Sequence, residues 1–219
     1  MMTLKLVIFD CDGVLVDSEA LANRELQKAL AEEGLVMSME EVVEAFVGRS
    51  MKAVVDISGQ RLGRALPDDF LDRLQVKTFT KFKSSLKPVA GIAEVLTGLQ
   101  DMPYQTCVAS SGSPDKMDLT LGLTGLKAFF EGRIYHAGQV ARGKPYPDLF
   151  LYAADQMGVD PAECLVVEDS LPGVQAAVAA GMEVLAYATR GQDRKLATAG
   201  GMVIKEMHEV IKYLQEPCV

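Results

Sequence analysis

Short apolar runs and segments with helical periodicity alternate along most of the chain. Four runs have the length and composition of strands buried on both faces, at 4–9, 104–110, 163–168 and 183–188. Weaker strand candidates lie at 133–137 and 202–204. Helical patterns occupy 91–100, 114–123, 147–158, 172–181 and 206–215. This alternation predicts an α/β fold with a parallel sheet, whose strands place their carboxyl ends at one shared edge.

The alternation is interrupted after the first strand. Amphipathic helical segments follow one another at 20–34, 39–48, 50–63 and 68–82, and no convincing strand lies among them. We therefore predict two parts: an α/β core of residues 1–17 and 86–219, and an inserted all-helical cap subdomain of residues 18–85.

Composition and charge narrow the classes of partner. The chain has 219 residues, 49% of them apolar and 24% charged, which is ordinary for a globular protein. Its net charge of −8 argues against nucleic acid or an anionic membrane as a partner. No apolar run approaches the length of a membrane span. We expect a cytoplasmic protein with a small-molecule partner. The oligomeric state stays open, and a monomer is compatible with the sequence.

Cysteine and histidine give no sign of a zinc site. The four cysteines form no C-x-x-C pair, and there are only two histidines, His136 and His208. The cysteines at 11, 107 and 164 follow or lie within apolar strand-like segments, and we interpret them as buried thiols.

Polar residues gather where the predicted strands end. Two aspartates, Asp10 and Asp12, follow the first strand, and the turn Ser110-Ser111-Gly112 follows the second long one. An acidic pair, Glu168 and Asp169, stands at the end of the strand at 163–168, and Lys144 lies in the sequence RGKPYPD. Each feature alone could be a turn, a helix cap or a surface group. Together they predict one site at the carboxyl edge of the sheet.

The chemistry of this set favours phosphoryl transfer. Clustered carboxylates with little histidine or cysteine suit a hard divalent cation, above all Mg²⁺. Lys144 adds a positive charge, and the Ser110 turn adds hydroxyl and backbone N–H donors that can hold a phosphate. An aspartate in line with the phosphorus could then attack it.

The same residues resemble the haloacid dehalogenase superfamily. Four motifs are present in order: DCDGVLVDS at 10–18, Ser110 after an apolar strand, GKPYPD at 143–148 and EDSLPG at 168–173. The resemblance spans nearly the whole chain, and the helical insert is similar to the small cap of one subgroup. It implies a Rossmann-like parallel sheet core and a phosphatase related to sugar-phosphate, 6-phosphogluconate and β-phosphoglucomutase-like enzymes.

The resemblance also implies a role for each motif residue. Asp10 would be the nucleophile that forms an aspartyl-phosphate, and Asp12 would protonate the leaving oxygen and then activate water. Ser110 and Lys144 would hold phosphoryl oxygens, with Lys144 also orienting Asp10. Mg²⁺ would be bound by Asp10, the backbone carbonyl of Asp12, and Asp169, with Glu168 as a ligand or close neighbour.

The residues at two positions indicate which of the family's reactions to expect. Asp12 stands where true dehalogenases of the family lack an acid, which favours phosphoryl transfer over carbon–halogen cleavage. Ala22 stands where β-phosphoglucomutases carry a cap histidine, which favours hydrolysis over a sugar phosphomutase, the alternative reaction. A phospho-receiver signalling module is a different class with similar residues, but such modules lack a helical insert after the first strand.

The cap is expected to choose the substrate. Gly48, Arg49 and Lys52 lie on a short loop and helix start that resembles the substrate-contacting loop of related caps. Arg49 or Lys52 could pair with a carboxylate or second phosphate, although a solvated helix start is an equally good interpretation. In the core, Ser111 and Gly112 are further substrate-binding candidates. The sequence does not identify the substrate.

Overall fold

The structure is a computed structural model that describes residues 4–47, 49–189 and 191–215. Six strands are present in these ranges: β1 Leu6–Phe9, β2 Gln105–Ser110, β3 Ile134–His136, β4 Cys164–Glu168, β5 Glu183–Tyr187 and β6 Met202–Ile204. The helices of the described residues are α1 Glu19–Glu32, α2 Met39–Phe46, α3 Met51–Leu62, α4 Phe70–Ser85, α5 Ile92–Gln100, α6 Pro114–Leu123, α7 Asp148–Met157, α8 Leu171–Ala179, α9 Asp193–Thr198 and α10 His208–Gln215.

All six strands form one parallel sheet in the order β3-β2-β1-β4-β5-β6. The first strand of the chain is therefore central, with β2 on one side and β4 on the other. Phe9 is level with Val108 of β2 and with Val167 of β4. Residues just beyond these three positions emerge side by side at the carboxyl edge, which confirms the predicted α/β fold.

The central strands are apolar and buried on both faces of the sheet. Every residue of β1 and of Cys164–Val167 is fully buried. Leu149 and Phe150 of α7 and Val174 of α8 pack in the same core as the strands. Burial of each large aliphatic or aromatic side chain contributes roughly 1.5–3 kcal/mol, so the sheet is a rigid support for groups at its edge.

Residues Ser18–Leu86 form a separate compact unit of four helices, and the rest of the chain forms an α/β unit. The helical unit has its own core, which includes Leu30, Phe46 and Phe70. Ser38 and Glu41 form a capping box at the start of α2. Asp17 N–H donates to the Lys87 carbonyl oxygen at 3.0 Å, so the two passages of chain at the unit boundary run side by side within the α/β unit.

Three local features differ from the sequence-based expectations. Helix α9 was not predicted, because its six residues are too short and too polar to show helical periodicity. Short 3₁₀ turns at Lys127–Phe130, Ala137–Gln139 and Pro161–Glu163 were also missed. Lys144 does not follow a strand directly, since a 3₁₀ turn and a loop separate it from β3.

The predicted buried thiols are present at Cys11, Cys107 and Cys164, and burial raises the pKa of each above its ordinary value. Cys218 lies outside the described residues. Within the described ranges, none of the helices has the length and apolar character needed to cross a membrane.

Candidate active site

Asp10 is the first residue beyond the central strand. Its backbone N–H donates to the Val167 carbonyl oxygen at 3.0 Å, which continues the ladder between β1 and β4 by one step. The residue is 7% exposed. A tight turn follows, in which Gly13 has a φ of +84° and its N–H donates to the Val16 carbonyl oxygen at 2.9 Å. The fold therefore fixes a carboxylate at the end of a buried strand and turns the chain away immediately.

Lys144 joins two of the predicted acids. Its Nζ donates to Asp10 Oδ1 and to Glu168 Oε2, each at 2.6 Å. The side chains of the three residues are 5%, 9% and 1% exposed. Lys144 Nζ also lies 4.8 Å from the centre of the Phe150 ring. The loop that carries Lys144 thus delivers a buried positive charge between the ends of β1 and β4.

Glu168 is held at the start of α8 as well as by Lys144. Its Oε1 accepts hydrogen bonds from the backbone N–H groups of Asp169 and Ser170 and from the Ser170 hydroxyl, at 2.8–3.1 Å. Ser170 Oγ accepts in turn from Gly173 N–H at 3.2 Å and caps the helix. A Cβ on Gly173 would lie 2.0 Å from Glu168 Oε2. Ser170 and Gly173 are positioning residues that the sequence analysis did not single out.

Three of the acids form a group that fits a hard cation. One carboxylate oxygen from each of Asp10, Glu168 and Asp169 lies within 4.8 Å of the others. The backbone of Gly13 closes on this group, since a Cβ there would lie 2.1 Å from Asp169 Oδ2. Three oxygen ligands without histidine or cysteine are a donor set suited to Mg²⁺.

The charges of this group are strongly perturbed. Burial raises the pKa of Asp10 to about 7; Lys144 opposes this shift, and Glu168 and Asp12 reinforce it. Burial, followed by the charges of Glu168 and Asp10, raises the pKa of Asp169 well above its ordinary value. Burial alone would lower the pKa of Lys144, but the two neighbouring carboxylates outweigh it and keep the ammonium charged. A bound cation would relieve the same repulsion between the acids.

The turn after β2 faces Asp12. Ser110 is buried, and its Oγ accepts a hydrogen bond from Gly112 N–H at 3.1 Å. A Cβ on Gly112 would be 3.4 Å from Ser110 Oγ and 3.6 Å from Asp12 Oδ2, so glycine leaves a small space between these oxygens. Ser111 is exposed on the same turn. Ser110, Gly112 and Asp12 are therefore brought together as the sequence predicted.

Asp12 also has a partner that the sequence analysis missed. Lys116 Nζ, from the first turn of α6, donates to Asp12 Oδ2 at 2.8 Å. The two residues are 104 positions apart in the chain. Lys116 was part of a predicted helix, and nothing in a helical pattern distinguishes a lysine that reaches the neighbouring strand end from one that points into solvent.

The predicted substrate-binding residues of the cap belong to the helical unit. Ser50 caps α3 by accepting from Ala53 N–H at 3.2 Å, and Lys52 donates to Asp56 Oδ2 at 2.6 Å within the same helix. Arg49 is exposed just before this helix. Gly48 lies outside the described residues. The substrate-binding role of Gly48, Arg49 and Lys52 stays a prediction.

Comparison with known proteins places the chain in a family. The model of the haloacid dehalogenase-like hydrolases matches residues 4–181. This chain belongs to that family. The match includes β1, the helical unit and the strand ends that carry Asp10, Ser110 and Glu168, so it covers the same residues that assemble the site.

Similarity to individual proteins covers most of the length of this haloacid dehalogenase-like hydrolase. The 6-phosphogluconate phosphatase of Escherichia coli is 30% identical over 188 residues, covering 85% of this chain and 84% of that protein. A phosphorylated carbohydrates phosphatase of Thermotoga maritima is 26% identical over 216 residues, covering 97% and 99%. The crystal structure of a haloacid dehalogenase-like protein from Agrobacterium tumefaciens has a TM-score of 0.84 and 33% identity, with coverage of 97% and 98%.

Proposed function

We propose that this hydrolase is a Mg²⁺-dependent phosphatase that hydrolyses a small phosphorylated metabolite, a sugar phosphate or sugar-acid phosphate, through an aspartyl-phosphate. The observation that carries the proposal is the placement of Asp10 between Lys144 and two further buried acids, beside Asp12 and the Ser110 turn. The two phosphatases similar to this chain act, by name, on phosphogluconate and on phosphorylated carbohydrates. They support the substrate class.

In the proposed reaction Asp10 is the nucleophile. Lys144 binds Oδ1 at 2.6 Å and so orients the carboxylate, which leaves Oδ2 to attack phosphorus. The bond from Oδ2 to phosphorus forms as the bond from phosphorus to the ester oxygen breaks. Asp12 donates its proton to that oxygen, and the alcohol leaves. Asp12 then accepts a proton from water, which attacks phosphorus, breaks the bond to Asp10 and releases inorganic phosphate.

Charge on the transferred group must be balanced at the same edge. The Ser110 hydroxyl accepts from Gly112 N–H, and its own proton can be donated to a phosphoryl oxygen. Asp10, Glu168 and Asp169 would hold Mg²⁺ through carboxylate oxygens, together with the backbone carbonyl of Asp12. When bound, this ion supplies positive charge that screens the acids from one another and from the phosphate.

The test is phosphate release with Mg²⁺ across sugar phosphates, sugar-acid phosphates, polyol phosphates and nucleoside monophosphates. We expect turnover of sugar or sugar-acid phosphates, its loss on chelation and its recovery when Mg²⁺ is restored. Asp10→Asn should lower kcat by roughly 10³-fold or more with an unchanged circular dichroism spectrum. Near-normal turnover by that variant, or full activity after exhaustive chelation, would contradict the proposal. Isomerised sugar phosphate among the products would indicate the mutase alternative.

A further inference from the structure

Three of the four carboxylates at the edge of the sheet contact one of two lysines. Lys144 contacts Asp10 and Glu168, whereas Lys116 contacts Asp12 at 2.8 Å. The potential cation ligands among the described residues are Asp10, Glu168 and Asp169, and Asp12 is not one of these three carboxylates. The side chains of Lys116 and Asp12 are 28% and 21% exposed, so this second pair lies on the more open side of the site.

The start of α6 fixes the direction of Lys116. Ser113 has extended backbone angles, its hydroxyl accepts from Lys116 N–H at 3.3 Å, and Pro114 occupies the first turn. Lys116 is thereby held as the third helical residue. Helical side chains lean toward the amino end of their helix, and here that end is the turn after β2. The ammonium group consequently reaches back over the turn to the end of β1.

We infer that Lys116 is a positioning residue for the proposed reaction: its ammonium group donates to Asp12 Oδ2 and holds this side chain on the open side of the site, away from the other three acids, which leaves Asp12 Oδ1 to carry the transferred proton. This inference rests on the proposed function, in which Asp12 transfers the proton. Asp12 is attached to a short, tight turn, and repulsion from Asp10 and Asp169 would otherwise act on its side chain. A displacement of about 1 Å in a proton-transfer group can cost about 10²-fold in rate.

The first experiment compares Lys116→Met, which keeps most of the side-chain volume, with Lys116→Arg, which keeps the charge and donors. On a sugar phosphate that the wild type hydrolyses, Lys116→Met should lower kcat by roughly 10- to 100-fold while KM changes less than about twofold. Lys116→Arg should recover part of the lost kcat. The matched control is Lys127→Met, which removes the exposed ion pair between Lys127, on the 3₁₀ turn after α6, and Asp118 of α6 and should leave both constants unchanged.

A double-mutant cycle then tests whether Lys116 acts through Asp12. The activities are measured with p-nitrophenyl phosphate, because its good leaving group needs little protonation. When Lys116→Met is added to Asp12→Ala, the activity should change less than about threefold. A direct contact between Lys116 and substrate predicts the opposite pattern, with KM raised and the full effect retained in the Asp12→Ala background. That pattern would overturn the inference.

A structural measurement separates this inference from the proposed function. The crystal structure of Lys116→Met should show the Asp12 carboxylate turned from its wild-type position, and an unmoved carboxylate would overturn the positioning role. Wild-type protein that hydrolyses no phosphate ester would overturn the proposed function. Active wild type with an equally active Lys116→Met variant would overturn only the role of Lys116.

Discussion

Each end of the strand pair β1 and β4 has a lysine that contacts acidic side chains, one acid at the amino end and two at the carboxyl end. At the amino ends of β1 and β4, Lys5 Nζ lies 2.8 Å from Glu163 Oε1, and these side chains are 57% and 22% exposed. At the carboxyl ends, Lys144 lies between Asp10 and Glu168, with all three side chains less than 10% exposed. Both ends of the strand pair bring lysine and acidic side chains into contact, but the side chains are buried only at the carboxyl end.

Burial changes what such a lysine does. An exposed pair gains little from its Coulomb energy, typically about 0–1 kcal/mol, because water screens the charges and the side chains lose freedom. A buried cluster costs several kcal/mol in desolvation for each ion, which the internal attraction repays only in part. At the carboxyl end one lysine faces two carboxylates, with Asp169 close by, so negative charge is in excess. A fold selected for stability alone would not place these acids there, whereas the proposed binding of a cation and a phosphate accounts for them.

The largest effect should come from removing the buried lysine. Lys144→Met leaves Asp10 and Glu168 without their shared cation, and we expect the free energy of unfolding to fall by on the order of 3 kcal/mol in the absence of added metal. Because Asp10 also loses its orientation, kcat should fall roughly 10²- to 10³-fold. Thermal unfolding and phosphate release measure the two effects.

Lys5→Met is the matched control at the other end of the same strands. It breaks one ion pair between a lysine and an acid, yet the free energy of unfolding should change by no more than about 1 kcal/mol and kcat should be unaffected. Equal losses from the two substitutions would show that burial does not distinguish the two ends.

Much of this comparison could be predicted from the sequence. Apolar runs locate all six strands, and the acids that follow β1 and β4 point to a shared edge because parallel strands end together. The motif at 143–148 brings Lys144 into the site through family resemblance, although no strand delivers it directly. The fold prediction succeeds because the periodicity and the turn residues are local in the chain, and the candidate site residues lie in short local motifs.

Contacts between distant segments could not be predicted in the same way. The strand order is set by packing across the sheet, and no periodicity encodes it. Lys116 meets Asp12 only because β2 lies beside β1, so that the first turn of α6 begins near the end of the central strand. Gly173 looks like part of a small-residue helix face, but it is the close approach of Glu168 that requires glycine there.

A second, intermediate effect should come from crowding the buried acids without removing any charge. A Cβ on Gly173 would overlap Glu168, whose carboxylate oxygens are held by Lys144 and by the start of α8. Gly173→Ala should therefore displace Glu168, destabilise the fold by about 1–3 kcal/mol and lower kcat by at least about 10-fold. Unfolding curves and steady-state kinetics test both expectations.

Gly122→Ala provides the comparison for the same chemical change. Gly122 is exposed within α6, and no atom lies within 4 Å of an added Cβ. The substitution should stabilise the helix by up to about 1 kcal/mol and leave activity unchanged. If Gly173→Ala behaves like Gly122→Ala, Glu168 is not confined as its contacts indicate.

The smallest effect should come from an exposed ion pair that borders the buried one. Arg142 donates to both carboxylate oxygens of Asp148, at 2.8 and 3.1 Å, and closes the loop that carries Lys144.

The pH dependence of this effect follows from the charge of Asp148. The hydrogen bonds from Arg142 hold the pKa of Asp148 below its ordinary value of 3.8. Because the pKa of Asp148 is lower in the folded state, the ion pair stabilises the fold fully at pH values above the ordinary pKa of 3.8. This contribution is lost as the pH falls through the folded-state pKa. Arg142→Gln should thus lower Tm by no more than about 3 °C at pH 7 and by progressively less toward pH 3. Thermal unfolding of both proteins across this range measures the difference, and a Tm gap that widens in acid would show that another interaction of Arg142 holds the loop.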